Sequence, residues 1–524
     1  MTLNAIYHTA RADFLERVRS SGLILMLGLT AYLSYAFVPP LDASYTAVSL
    51  GGTRIFYNSA GIGLMFGITI SMFVSLFAFY IIKNSIARDR QTRVGQIIGT
   101  TATSKTAYLL GKWASNVLFL SIIVGVMSLM APVMQLLRGE ASQIEIIQMW
   151  LPIWLLGLPM MSVVAGFALI FESVPFLRGG FGNVAYFFVW VFMLVVLLGG
   201  FEQGQILPDP YGVMEPLIQI YQELGVEEIS LNLLGEKTSE NEPVYQWHGR
   251  NWSATFLLGR LFWLGMGALL AVSGTLFFDR FNPANANAKK SSRVEKWWLA
   301  LQSRLFSQKI DMGGKPVRQL TRLPHTTFKF QPLKLVLAEL RLLLNGQPWY
   351  LFAGLIGLTI FSLVTPLADN GIGALYPLIG SILILSMLGA REPFFHTEQL
   401  VYATPRAHSR QLLTAWLAGV MVMLIFVAGY AVKLLLVGEM ALLSGVLTAA
   451  LFIPAMAMCL GTVSGTRRLF EIVFLVWWYM AINVTDGFLS WINFVNPQGG
   501  MGYLLSTLIL LATAVFIRYA KTQK

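Results

Sequence analysis

Charged side chains are scarce. Asp, Glu, Lys and Arg make up 12% of the 524 residues, against 56% hydrophobic ones. A soluble domain runs about 25% charged, so this chain cannot clothe a soluble globule of its size. Its high hydrophobicity also excludes disorder. The single cysteine, Cys459, excludes an internal disulfide and any cysteine-held metal cluster. Five histidines (His8, His248, His325, His396 and His408) form no pair at helical spacing, so no metal site is expected. No complete Walker motif is present. The stretch Gly99–Thr106 has Ser104 where a phosphate-binding loop needs glycine before the lysine, and no buried strand precedes it. Carboxylates are missing from the middles of the apolar runs, which leaves proton or sodium coupling without a carrier. Glu172 with Arg178, and Arg467 and Arg468 with Glu471, fall in short inner turns and read as pairs at the membrane interface. No nucleophile–base pair stands out, so the chain is not expected to be an enzyme.

What is abundant is apolar sequence in runs long enough to cross about 30 Å of hydrocarbon. The pattern predicts an all-α membrane protein of about twelve transmembrane helices. In the first half they are Gly22–Pro39, Ala60–Ile82, Ala107–Met130, Met149–Phe171, Gly182–Gly200 and Ala254–Phe278. In the second half they are Pro348–Pro366, Ala374–Ala390, Gln411–Leu434, Ala441–Val463, Leu469–Val484 and Gly502–Ile517. Before the first run, Ile6, Ala10, Phe14 and Val18 recur at helical spacing beside Arg11, Arg17 and Arg19, which predicts an N-terminal interfacial amphipathic helix.

The net charge of +11 is unevenly placed. Between Asp279 and Lys334 twelve bases face only Asp279, Glu295 and Asp311, so that segment is expected in the cytoplasm. The Phe201–Arg250 stretch carries nine acids against Lys237 and Arg250 and is expected outside, as a long acidic loop or a small cap with a short helix at Pro216–Leu224. Both termini then lie inside, in a bacterial cytoplasmic membrane. The bases belong to loops at the lipid surface, and no nucleic acid is expected as a partner.

Shifting the sequence by 303 residues aligns two cytoplasmic loops without a gap. Over Arg88–Trp113 six residues are identical (Arg, Gln, Thr, Leu, Leu and Trp), where about two would arise by chance. A shift of 295 also places Pro159 and Gly166 on Pro454 and Gly461. Two parallel six-helix repeats are expected, 1–280 and 331–524, joined by a basic cytoplasmic linker at 281–330.

The first of these loops, Arg88-Asp89, then Gly95-Gln96-Ile97-Ile98, Thr101, Ser104-Lys105 and Tyr108-Leu109-Leu110-Gly111-Lys112, resembles that of ABC-2 type transporter permeases, the membrane subunits of ATP-driven exporters. The second copy has Arg391-Glu392, Glu398, Gln399-Leu400-Val401 and Pro405. Gln96 stands where the family usually has an acid, and Ala102 where it usually has proline. The resemblance implies that each loop holds a coupling helix gripped by a separate ATP-binding cassette ATPase subunit, with ATP and Mg on that partner and no cofactor in this chain. It implies as coupling residues Arg88, Asp89, Gln96, Ile97 and Ile98 in the first half, and Arg391, Glu392, Gln399, Leu400 and Val401 in the second. With both halves in one chain, two ATPase subunits suffice and a homodimer is not required. An amphiphile, lipid or peptide suits the aromatic and Met-rich spans as cargo.

A major-facilitator-type secondary transporter shares the six-plus-six plan. Its loop after the second span is short, however, whereas here more than twenty residues intervene. A non-transporting scaffold is the third reading.

Overall fold

The computed structural model describes residues 2–281, 297–301 and 331–522, apart from 20, 44, 51, 203–208, 226–230, 237–242, 250–251, 299, 346, 348, 365–371, 404–406 and 484–498. Most of the expected linker 281–330, and Thr404 and Pro405 of the second loop, lie outside the described residues. The chain divides into two compact units, Met1–Ala288 and Lys289–Lys524.

The first unit opens with α1 (Thr2–Val18) and α2 (Ser21–Ala36), followed by the strands β1 (Tyr45–Leu50) and β2 (Thr53–Ile55). The next apolar run folds as α3 (Ser59–Ile68), a π-helical turn (Thr69–Val74) and α4 (Ser75–Ile82). Two short helices follow, α5 (Ser85–Gln91) and α6 (Val94–Thr100), then α7 (Lys105–Arg138), α8 (Ile146–Ser173) and α9 (Gly180–Glu202). The unit ends with α10 (Met214–Leu224), β3 (Leu231–Glu236), β4 (Val244–Tyr245) and α11 (Ala254–Ser273). The second unit holds α12 (Pro332–Leu344), α13 (Trp349–Val364), α14 (Ile372–Leu385), α15 (Arg391–Phe395), α16 (Glu398–Tyr402), α17 (Ala407–Val437), α18 (Met440–Ser464), α19 (Arg467–Asn483) and α20 (Gly499–Thr522).

Every apolar run read from the sequence coincides with one of these helices. Among the described residues, eight helices are long and apolar enough to cross a membrane. The chain is therefore a helical, multi-pass membrane protein. Helices such as α2 and α14 follow the same apolar pattern but are shorter.

The helical fold also carries one small sheet. The 201–250 stretch supplies α10, close to the helix expected there, and also β3 and β4. These join the β1–β2 hairpin in a four-stranded sheet of order β3-β1-β2-β4. β1 runs antiparallel to both neighbours, with Ser49 opposite Arg54 and Val48 opposite Leu233, and β4 pairs parallel to β2. The Tyr45–Leu50 run, rich in β-branched and aromatic residues, has strand propensity, but its partners lie far off in sequence. Beside the sheet, Arg54 of β2 donates two hydrogen bonds of 2.7 Å to Glu140, and the Tyr57 amide donates a third of 3.0 Å. Burial pushes the Glu140 pKa up, but these bonds outweigh it and hold the carboxyl below its ordinary range.

Inside the unit, glycines allow helices to touch backbone to backbone, the usual solution where lipid removes the hydrophobic drive between helices. A Cβ on Gly63 would come within 2.3 Å of the Met149 carbonyl oxygen, and one on Gly166 within 2.4 Å of the Gly267 carbonyl oxygen. A Cβ on Gly267 would meet Ser162 Oγ at 2.2 Å. Gly267→Ala is expected to force α11 off α8 and to cost about 1–3 kcal/mol by overpacking. A lowered thermal unfolding midpoint in detergent checks this.

The π turn leaves backbone carbonyls out of register with the helix ladder, and in an apolar setting each needs a donor. α9 supplies two: the Trp190 indole donates to the Met72 carbonyl at 3.0 Å, and the Tyr186 hydroxyl to the Ser75 carbonyl at 3.0 Å.

Candidate coupling elbows

In the first unit, α5 and α6 form an elbow between two long apolar helices. Arg93 sits between them in the left-handed region (φ 62°), a conformation rare outside glycine. Three long helices hold α5. At its start Asn84 is also left-handed (φ 81°), and the following amides converge on Glu172, at the end of α8. Glu172 Oε1 accepts from the amides of Asn84 (2.6 Å) and Ser85 (2.9 Å), and Oε2 from those of Ile86 (2.6 Å) and Ala87 (3.3 Å).

In its middle, Arg88 Nη2 reaches Asp13 Oδ1 of α1 at 2.9 Å, and its Nε reaches Glu16 at 3.0 Å. Asp89 is 6% exposed. It accepts from the Tyr108 hydroxyl at 2.6 Å and lies 2.8 Å from Lys112 Nζ, both on α7.

Asp13 is the centre of this cluster. Lys112 Nζ (2.7 Å), Arg88 (2.9 Å), Arg17 Nε (3.0 Å) and the Ser115 hydroxyl (2.7 Å) all donate to it. Burial raises its pKa, but Arg17 and Lys112 overcome that and lower it from 3.8 to about 2. The face of α1 turned to the protein is centred on this cluster and takes in only Ala10 of the apolar stripe. Ala10, Asp13 and Arg17 are buried, while Ile6, Phe14 and Val18 are half-buried. Ion pairing compensates for burying the charge of Asp13 and Arg17.

α6 turns two ways. Ile98 packs against a buried cluster that includes Ile86, Tyr108, Leu109 and Phe278. Gly95 is buried, and a Cβ there would meet the Phe281 ring at 2.4 Å. Val94, Gln96 and Ile97 face outward, Ile97 at 67% exposure. The apolar residues of α6 are therefore split, with Val94 and Ile97 outward and Ile98 inward. The phosphate-loop look-alike is a helix end and a cap: α6 stops at Thr100, and the Ser104 side chain accepts from the Ala107 amide at 3.1 Å to start α7.

The second unit has its own elbow, α15 and α16, with His396 left-handed between them (φ 55°). Arg391 Nη2 lies 2.6 Å from Glu339 of α12, and the Gln411 amide donates to Glu392 at 2.9 Å. Arg518 of α20 stands 3.5 Å from Glu392, which is 3% exposed. Burial would raise the Glu392 pKa, but Arg518 and Arg391 hold it below its ordinary range. Leu400 is 76% exposed, with Phe394, Phe395 and Gln399 also outward and Val401 half-buried.

Corresponding positions 303 residues apart have matching roles. Arg88 and Arg391 each bridge to an acid on the helix before the unit's first apolar run. Tyr108 and Gln411 each donate to the acid beside that arginine. Trp113 and Trp416 each donate an indole N–H to a carbonyl of the next helix, at 3.3 and 3.1 Å.

Of the residues expected at the site, Arg88, Asp89, Arg391 and Glu392 are tied into the protein. Gln96, Ile97, Gln399 and Leu400 face out, and Ile98 and Val401 lie between. The sequence reading missed Asp13, Glu339 and Tyr108, and set Glu172 aside as a partner of Arg178. In the structure Arg178 instead donates to the backbone carbonyls of Glu172 and Ser173. A carboxylate flanked by bases before the first span, as at Asp13, is the signal that was available. Comparison with family models, curated proteins and solved structures returned no match.

Proposed function

We propose that this chain is the membrane-spanning permease of an ATP-binding cassette transporter of the ABC-2 type, exporting an amphiphilic, lipid or peptide-like substrate. Separate ATPase subunits, which carry the ATP and Mg, dock on α6 and α16. In this reading the chain comprises about twelve spans in two parallel repeats, with both termini cytoplasmic in a bacterial inner membrane. The chain itself is not an enzyme.

One observation carries the reading. Each elbow presents large apolar side chains outward from a short helix, Ile97 or Leu400, while buried charge pairs, Asp89 with Lys112 and Glu392 with Arg518, tie its base to long apolar helices. An exposed apolar patch on a rigid mount is what a protein partner needs. A solvated loop would have neither the patch nor the mount. The supporting test is affinity purification of the chain from its native membrane. A soluble polypeptide with a complete phosphate-binding loop is expected to copurify and to hydrolyse ATP in the complex. Recovery of the chain without any ATPase, or ATP hydrolysis by the chain alone, counts against it.

A further inference from the structure

We propose that Glu172 is the positioning residue through which displacement of the first elbow enters the membrane-spanning helices. The inference deepens the permease reading and assigns α8 as the helix that receives the push.

Glu172 occupies the last turn of α8, where a negative charge faces the negative end of its own helix dipole. Nothing within α8 favours it there. What compensates is on another element: four consecutive amides, Asn84 to Ala87, point at its two oxygens. The left-handed Asn84 turns the chain so that they converge. Glu172 is 3% exposed, and in such surroundings a carboxylate holds its donors firmly. A shift of α5 therefore draws the end of α8 with it. α8 in turn touches α3 backbone to backbone at Gly63 and α11 at Gly166. The displacement thus reaches two further apolar helices without a flexible joint.

The second unit makes the corresponding junction by steric contact. Gly389, in the turn before α15, has φ +77°, and a Cβ there would lie 2.4 Å from the Met458 carbonyl oxygen of α18. A Cβ on Gly461 of α18 would lie 2.2 Å from the Leu388 carbonyl oxygen. The two elbows are thus mounted unequally, the first through an anion and its amides, the second through close backbone packing.

The test is hydrogen–deuterium exchange on the purified full chain in lipid nanodiscs. Glu172→Gln keeps the volume but leaves one strong acceptor for four donors. Exchange of the amides over 84–87 is expected to rise about tenfold or more, and Glu172→Leu is expected to do at least as much. Transmission is read with a deliberate disturbance: Gly95→Ala sets a Cβ against the Phe281 ring and displaces α6. In the otherwise native chain, exchange is expected to change both over 84–91 and over 166–173. With Glu172→Gln added, the change is expected to stay in the elbow. Unchanged exchange over 84–87 in both Glu172 variants overturns the clamp. An equal response of 166–173 with and without Glu172 overturns the transmission. Neither readout uses an ATPase, so absence of a copurifying ATPase sinks the permease reading alone.

Discussion

Asp13→Ala will destabilise the α1–α5–α7 end of the first unit by about 3–5 kcal/mol, the usual result of removing one member of a buried ion cluster. The size follows from what is left behind. Arg17 and Lys112 are almost fully buried, and both lose their nearest carboxylate oxygen. Lys112 retains Asp89 at 2.8 Å and Arg88 retains Glu16 at 3.0 Å, but all three bases lose the carboxylate that joins them. The Ser115 hydroxyl also loses its acceptor. Thermal unfolding in detergent, followed by tryptophan fluorescence, is the measurement. A midpoint within a degree of wild type would show that the cluster contributes nothing.

Acid should act on the same group more gently. The folded pKa of Asp13 is depressed to about 2 from an unfolded 3.8. Its contribution is complete above about pH 4 and is lost as the pH falls through 2. The loss is smaller than for alanine, roughly 2 kcal/mol, because a protonated carboxyl still fills its space and still accepts hydrogen bonds. The Asp13→Ala variant should lack this acid-dependent component between pH 4 and 2.

Ile97→Asp and Leu400→Asp will separate partner docking from folding. Both positions are largely exposed, so each change should move stability by no more than about 0.5 kcal/mol. A central apolar contact in an interface is commonly worth about 2 kcal/mol, or a factor of about 30 in affinity. The double variant should therefore insert normally and lose copurifying ATPase. Charge reversal of the acids, which the resemblance alone would recommend, is the wrong probe. Asp89→Lys places a cation next to Lys112, and Glu392→Lys places one between Arg391 and Arg518. Both should unfold their elbows at a cost of about 3–5 kcal/mol, and any loss of a partner would follow from that. If Asp89→Lys and Glu392→Lys fold normally while Ile97→Asp and Leu400→Asp keep full association, the assignment of outward and inward roles is reversed.

The amino-acid sequence by itself determined the class of protein, the position of every apolar helix and the place of both elbows. Hydrocarbon thickness and backbone hydrogen bonding leave an apolar run of this length almost no choice but a helix. The 303-residue register likewise aligned the two loops, and the family resemblance singled out Arg88, Asp89, Arg391 and Glu392 in them. What only the tertiary structure decided is which way those residues face. A buried carboxylate and a docking carboxylate look alike in one dimension, because the difference lies in Asp13, Lys112, Glu339 and Arg518, which arrive from distant segments. The sheet was hidden for the same reason. β1 meets β3 across most of the first unit's sequence, and no local pattern encodes a pairing whose partner is folded into place by the helices between.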